Sequence, residues 1–200
     1  MKLCMLTSVS DGTSWAALTT PNHAEWCHRN GHTYVARHLP YDQAVADFTF
    51  IESLLEHFDA VWCLDSDAVL TNMHARAEDI TLGPGMNVCE EGLHPMCPIN
   101  CGSVIWRNDD HSRRVLSWLK AAEHEWRRKT WIWQQWIAEQ LAGGGWWRSV
   151  VTVHPPRTFN SCHHGDLCLW RPGDLVYHPC GMPHPERVAR IREMLLEVQR

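Results

Sequence analysis

No stretch of this 200-residue chain approaches the ~20 consecutive apolar residues that a membrane-spanning helix needs. The opening MKLCMLTSVSDG holds one lysine and an apolar run too short for a secretory leader. A basic stripe is also missing. Lys and Arg number 18 against 23 Asp and Glu, and the formal charge of −5 argues against a nucleic-acid partner. Nine cysteines are present, yet none forms a C-x-x-C pair and their number is odd. That pattern builds neither a disulfide scaffold nor a zinc ribbon, so we expect reduced thiols and a cytoplasmic protein. Repeats and linkers are absent, and residues 1–200 read as one domain, long enough to bury about 70% of its unfolded surface. In contrast, tryptophan (12) and histidine (14) are abundant.

Hydrophobic patterning predicts an alternating order at the start. Residues 2–7 read as a buried strand feeding a turn at 8–12, and residues 13–29 as a helix with Thr20-Pro21 as a kink or a fresh N-cap. Gly31 stops that helix. A strand at 32–39, an amphipathic helix at 43–57 and a strand at 60–64 follow, the last apolar at every position as expected when both faces are covered. This order implies an α/β domain with a mostly parallel central sheet flanked by helices. Beyond it, 79–82, 86–90 and 103–107 are candidate strands around a loop at 92–101. Helices are expected at 110–126 and 130–141, the latter ended by Gly143-Gly144-Gly145, then a strand at 149–153. Residues 155–183, rich in Pro, Gly, His and Cys, read as an irregular lid-like segment, and 185–199 as a final helix.

The stretch Ala60-Val61-Trp62-Cys63-Leu64-Asp65-Ser66-Asp67 carries the most chemistry. Ligands of open α/β sheets bind at the carboxyl ends of strands. Two carboxylates there repel each other unless a cation sits between them, and hard oxygen ligands suit Mn²⁺ or Mg²⁺ holding a diphosphate. The plain alternative is that Asp65 caps the next segment and Asp67 is solvated.

The context favours the first reading. Asn22, Trp26, Gly31 and Tyr34, then D-S-D, then Asn100-Cys101-Gly102-Ser103-Val104-Ile105-Trp106-Arg107-Asn108, then Phe159-Asn160-Ser161, then Gly173-Asp174-Leu175-Val176-Tyr177-His178 stand in one order over most of the chain. Together they resemble the motifs of the retaining galactosyl/mannosyl/xylosyl transferase family of GT-A glycosyltransferases. The resemblance implies that Asp65, Asp67 and His178 bind the metal, and that Asn100 and Gly102 hold the donor sugar. Gln135 matches a glutamine near the anomeric carbon, although its usual aspartate neighbour is Gln134 here. Gly181 and His184 complete H-x-x-G-x-x-H-P, similar to the H-x-x-G-x-x-K-P of glycogenin-like transferases. His184 replaces the lysine that contacts the donor diphosphate, with Arg187 a plausible substitute. Thr7, at the end of the first strand, is a candidate for contacting the nucleotide.

The function implied is transfer of a hexose or pentose from a UDP- or GDP-sugar to a hydroxyl of a glycan, lipid, protein or small molecule. The resemblance implies retention, and Gln134 favours same-face attack over a covalent glycosyl-enzyme. Trp126, Trp131, Trp133, Trp136, Trp146 and Trp147 form either core packing, the favoured reading, or an acceptor platform. Two rivals remain. A zinc-binding module could draw on Cys162, His163, His164, Cys168, His178, Cys180 and His184, although their spacing matches no usual zinc pattern. A domain that binds nucleotide-sugar without transferring it is the other. A nucleotidyltransferase is disfavoured, because residues 8–14 hold one Gly and no basic residue.

Overall fold

A computed structural model describes residues 1–10, 13–40, 44–93 and 97–199. Residues 11–12 of the expected first turn, residue 43 of the expected second helix and residues 94–96 of the expected loop lie outside the described residues. The chain opens with β1 (Leu3–Val9), α1 (Ala16–Asn30), β2 (Thr33–His38), α2 (Ala44–Leu55), β3 (Ala60–Leu64) and a two-residue β4 (Val69–Leu70). It continues with β5 (Met86–Glu90), β6 (Ile99–Arg107), α3 (Asp110–Ala121), α4 (Glu123–Trp126), α5 (Ile132–Gly143) and α6 (Trp147–Val150). The last part holds β7 (Val151–His154), β8 (Ser161–His164), β9 (Leu167–Cys168), β10 (Val176–His178) and α7 (His184–Val198).

Six strands form the central sheet in the order β2-β1-β3-β6-β5-β7. The β1–β2, β1–β3 and β5–β7 pairs are parallel, and only β6 runs against its neighbours β3 and β5. The expected mostly parallel α/β sheet is therefore present. Side chains along a strand alternate between its faces, and here both faces are covered. Cys4 and Leu6 join the core under α2 to α6, whereas Leu3 and Met5 join the one under α1. In β3, Val61 goes to the first core and Trp62 to the second, which explains why every position of that strand is apolar.

Several expectations change in detail. Helix α1 runs through Pro21 without a new cap and ends at Gly31, whose φ of 70° closes it in the left-handed region. Residues 79–82 form no strand; a 3₁₀ turn spans Ala77–Asp79 instead. The expected helix at 110–126 breaks at Ala122, and a turn of helix precedes β7. The stretch at 155–183 is the largest correction. It carries three short strands that join β4 in a second sheet of order β4-β10-β8-β9. Sequence reading missed them because Ser161-Cys162-His163-His164 has no apolar alternation to announce a strand.

Asp174 anchors this segment. Its carboxylate accepts from Arg157 at 2.9 and 2.7 Å, from Ser161 Oγ at 2.8 Å and from the Arg171 backbone at 3.0 Å. The pair also holds Arg157 at a positive φ of 76°, unfavourable for a side-chain-bearing residue. Partial burial would raise the Asp174 pKa, but these donors hold it below the usual carboxylate value. A depressed carboxyl stabilises above its unfolded pKa of about 4 and loses that contribution as pH falls through its folded value. Asp174→Asn is therefore expected to lower the urea midpoint at pH 7. Its deficit against the wild type should close below about pH 4; a deficit independent of pH would contradict this role.

Candidate active site

Strand β3 ends at Leu64, and the chain turns at once through Asp65-Ser66-Asp67, with the Ala68 backbone donating to the Asp65 carbonyl at 3.0 Å. The turn is clamped from three sides by α1. Thr19 Oγ1 donates to the Ser66 carbonyl at 2.6 Å, and Trp15 Nε1 donates to Ser66 Oγ at 3.2 Å. His23 Nε2 lies 2.8 Å from the Ala68 carbonyl, which can only accept, so Nε2 carries the proton and Nδ1 accepts from Thr7 Oγ1 at 2.9 Å. Burial lowers the His23 pKa to about 4, partly opposed by the Ala68 bond, so this ring is neutral. Asp65 is fixed at its own backbone too, donating to the Gly102 carbonyl at 2.7 Å.

His178 arrives from the second sheet. Strand β10 pairs with β4 on one side and β8 on the other, and its last residue faces the turn. The ring Nε2 lies 3.3 Å from Asp67 Oδ1 and 3.7 Å from Asp65 Oδ2. One ligand atom from each of the three residues lies within 4.8 Å of the others. Gly102 makes that approach possible: a Cβ there would stand 2.0 Å from His178 Cε1 and 2.9 Å from Asp65 Oδ2. His178 Nδ1 is buried without a hydrogen-bond partner. Two carboxylates and one imidazole around a cradle that any side chain would fill fit a divalent cation of the Mn²⁺ or Mg²⁺ kind.

The two carboxylates differ. Asp67 is buried and meets two cations, His178 and Arg187, whose Nη1 lies 2.8 Å away. Burial would raise its pKa, yet His178 and Arg187 hold it below the usual range. Asp65 forms the floor of an open cleft, its side chain 58% exposed. The protein wall around it and the Asp67 charge nonetheless push its carboxyl up to about 6. Burial would lower the His178 pKa, but Asp67, by charge and hydrogen bond, takes it up to about 10.

That cleft has a volume of roughly 390 Å³ and is walled by Ser8, Asp47, Cys101, Trp131, Trp133 and Gln134, among others, as well as by the D-S-D turn and Arg187. A larger cavity near the end of α5 and β7, roughly 790 Å³, is mainly apolar, with Glu90 and Arg148 its charged lining groups. It lacks the convergence of carboxylates, imidazole and guanidinium that marks the smaller cleft.

Asp65, Asp67, His178 and Gly102 thus come together. Asn100 lies beside them but is buried, its Oδ1 accepting from the Gly102 backbone at 2.9 Å and from Asn160 Nδ2 at 2.8 Å. Its amide therefore shapes the Gly102 turn. Four expected site residues, Thr7, Gln135, Gly181 and His184, are placed differently. Thr7 points away from the cleft, because strand alternation turns it toward α1 and its hydroxyl is engaged by His23. Gln135 bends back to accept from the Thr130 backbone and donates to Glu139, so it caps its own helix. Gln134, one position earlier, lines the cleft and accepts from the Cys101 backbone at 2.8 Å. Gly181, at a φ of 68°, lies against His164 and not against the carboxylates. His184 sits at the rim, 3.1 Å from Ser14 Oγ and 5.0 Å from the Trp15 ring. Arg187 is the cation that reaches the cleft. It also donates to the Met182 carbonyl, lies over Trp15, and has a buried Nε without a partner.

The tryptophans divide between the two readings. Trp126 and Trp136 are core, and Trp136 and Trp146 pack edge-on against Trp147, whereas Trp131 and Trp133 line the cleft. Trp15 and His23 were invisible to the sequence as site residues; their role is to hold the turn, which no motif announces.

No protein-family model matches the sequence, and no curated protein sequence matches it. Solved structures do. A glycosyltransferase involved in glycosylation of the major capsid of the virus PBCV-1 superposes with a TM-score of 0.76 at 17% identity, covering 96% of this chain and all of that one. The catalytic domain of Drosophila beta1,4galactosyltransferase 7 in complex with xylobiose matches at 0.50 and 13%, covering 94% of this chain and 79% of that one. The apo-form glycosyltransferase GlyE of Streptococcus pneumoniae TIGR4 matches at 0.52 and 10%, over 77% of this chain but only 45% of its own. At these identities the likeness is one of fold: this chain has the α/β fold of solved glycosyltransferases.

Gly102→Ala is expected to force His178 off the carboxylates while the sheet stays intact by circular dichroism. In NMR titrations with a chelator present, the His178 pKa should fall from about 10 toward the ordinary value of about 6.5. An unchanged titration would contradict the close approach at Gly102.

Proposed function

We propose that the protein is a divalent-metal-dependent glycosyltransferase that moves a hexose or pentose from a UDP- or GDP-sugar to an acceptor hydroxyl, with residues 1–200 as one catalytic domain. The observation that carries this is the meeting of Asp65, Asp67 and His178 at the end of β3, in a cleft that Arg187 also enters. The fold shared with the PBCV-1 glycosyltransferase supports the same reading.

Asp65, Asp67 and His178 hold Mn²⁺ or Mg²⁺ in this proposal. Such an ion supplies positive charge opposite the oxygens of a leaving diphosphate. Arg187 adds a fixed cation on the same side, and its fork of donors suits phosphate oxygens. Its bonds to Asp67 and the Met182 carbonyl and its seat over Trp15 hold the guanidinium aimed at the turn, while its buried Nε has no partner. Thus Arg187, and not His184, takes the diphosphate role implied for residue 184. The amide of Gln134 fixes the Cys101 backbone beside Gly102, where the donor sugar lies. Retention rests on the family resemblance alone; with an amide at this position, same-face attack is then favoured over a covalent glycosyl-enzyme. Trp131 and Trp133 offer apolar ring faces for the acceptor. Nine free thiols suit a reducing compartment, and we place the protein in the cytoplasm. Among the described residues no helix is long and apolar enough to cross a membrane.

Asp65→Asn and Asp67→Asn are each expected to abolish Mn²⁺-dependent turnover of UDP- and GDP-sugars. Arg187→Ala should cut kcat/KM by roughly 10²–10³-fold, the cost of removing one charge-stabilising donor. The assay pairs sugar-nucleotide hydrolysis or transfer with a fold check by circular dichroism. Undiminished turnover in both aspartate variants would remove the site from consideration.

A further inference from the structure

His178 belongs to a second cluster. Cys162, His178 and Cys180 also offer one ligand atom each, all within 4.8 Å of one another. The parallel pairing of β10 with β8 sets His178 opposite Cys162 in register, so the two side chains leave the same face of the sheet. Past β10 the chain turns tightly, the Cys180 backbone donating to the His178 carbonyl at 2.9 Å, and this brings the second thiol round to the same ring. Cys162 is fully buried, His178 nearly so, and Cys180 is partly open to solvent. Elsewhere in this segment Cys168 lies exposed on β9, His163 Nδ1 stands 2.7 Å from the Tyr177 hydroxyl and His184 stands at Ser14.

The two donor sets that share His178 differ in kind. One offers carboxylate oxygens, which suit hard cations; the other offers two sulfurs, which suit Zn²⁺ and other thiophilic ions. Three protein ligands would hold the ion, with Cys180 on the more solvent-open side. We propose that Cys162, Cys180 and His178 form a zinc site that competes with the carboxylate site for the same imidazole. A neutral imidazole has a single lone pair to give, so His178 serves one ion or the other. Zinc held by the thiols thereby withdraws the only nitrogen ligand from Asp65 and Asp67. The competition rests on the function proposed above; the zinc site itself does not.

The test uses the full chain with Co²⁺ as a spectroscopic stand-in for zinc, and zinc itself by equilibrium dialysis, with no sugar-nucleotide present. One zinc per chain and a thiolate-to-cobalt charge-transfer band, retained in the Asp65→Asn/Asp67→Asn double variant, are expected. The band should be lost, and zinc affinity should fall, in Cys180→Ser, whose partly exposed position tolerates the change, and in Cys162→Ser. Competition is read from the electron paramagnetic resonance of free Mn²⁺. Zinc should release bound Mn²⁺ from the wild type at lower concentration than from Cys180→Ser, where it acts only by direct exchange at the carboxylates. A charge-transfer band or an undiminished zinc affinity in both serine variants, or no charge-transfer band in the wild type, would overturn the site. Equal Mn²⁺ release from wild type and Cys180→Ser would overturn the competition. A cobalt band in a protein without turnover would leave the zinc site standing and count only against the proposed function.

Discussion

Three segments remote from one another in the chain meet at Gly102, where a single methyl group would collide with both His178 and Asp65. The Gly102 carbonyl also receives the Asp65 backbone N–H, so the same residue sets the height of the carboxylate and leaves room for the imidazole. Around this contact the rest of the site is a supporting frame. Asn100 holds the Gly102 backbone, Asn160 holds Asn100, and Gln134 holds Cys101 between them. These are buried or partly buried bonds made by side-chain amides, two to backbone N–H groups and one between Asn160 and Asn100. Leaving any one donor or acceptor unpaired there costs about 1–3 kcal/mol, so the frame resists deformation.

The frame is tied to the folding core and does not float on it. Trp62, under the centre of β3, donates to Ser103 Oγ at 2.8 Å, and Ser103 donates to the Phe159 carbonyl at 2.9 Å. One chain of contacts thus joins the strand that ends in Asp65, the strand that carries Gly102 and the loop that carries Asn160. On the other flank, α1 delivers Trp15, Thr19 and His23 to the D-S-D turn. The two carboxylates then receive unequal treatment from the same geometry. Asp67 is locked between two cations, while Asp65 is left facing the cleft with a raised pKa. The asymmetry leaves one carboxylate anchored and one open to the cleft.

Residues 60–67 were legible because burial on both faces erases alternation and the two aspartates interrupt it sharply. The early strands and helices were legible for the same reason: their hydrophobic periods are strong. The second sheet was not, since strands made of Ser, Cys and His are ordered by pairing and by Asp174, neither of which has a sequence period. His178 was reachable only through resemblance to a family, because nothing in spacing pairs it with a turn so far upstream. Thr7 and Gln135 went astray by one side-chain direction each. Alternation in β1 turned Thr7 to the wrong face for the cleft, and the backbone N–H of Thr130, just before α5, engages the Gln135 amide oxygen. Arg187 marks the converse case. It came into view only as a stand-in for a residue at position 184, and the helix geometry made it the one that reaches Asp67.

The proposed function requires this cleft to bind a nucleoside diphosphate through a divalent ion held by Asp65, Asp67 and His178. The most direct measurement is calorimetric titration of UDP, and separately GDP, into the wild-type protein with and without Mn²⁺. The account predicts saturable, one-to-one binding of one nucleotide that depends on Mn²⁺. Absence of binding by both nucleotides with Mn²⁺ present, or equal binding without it, would contradict the account.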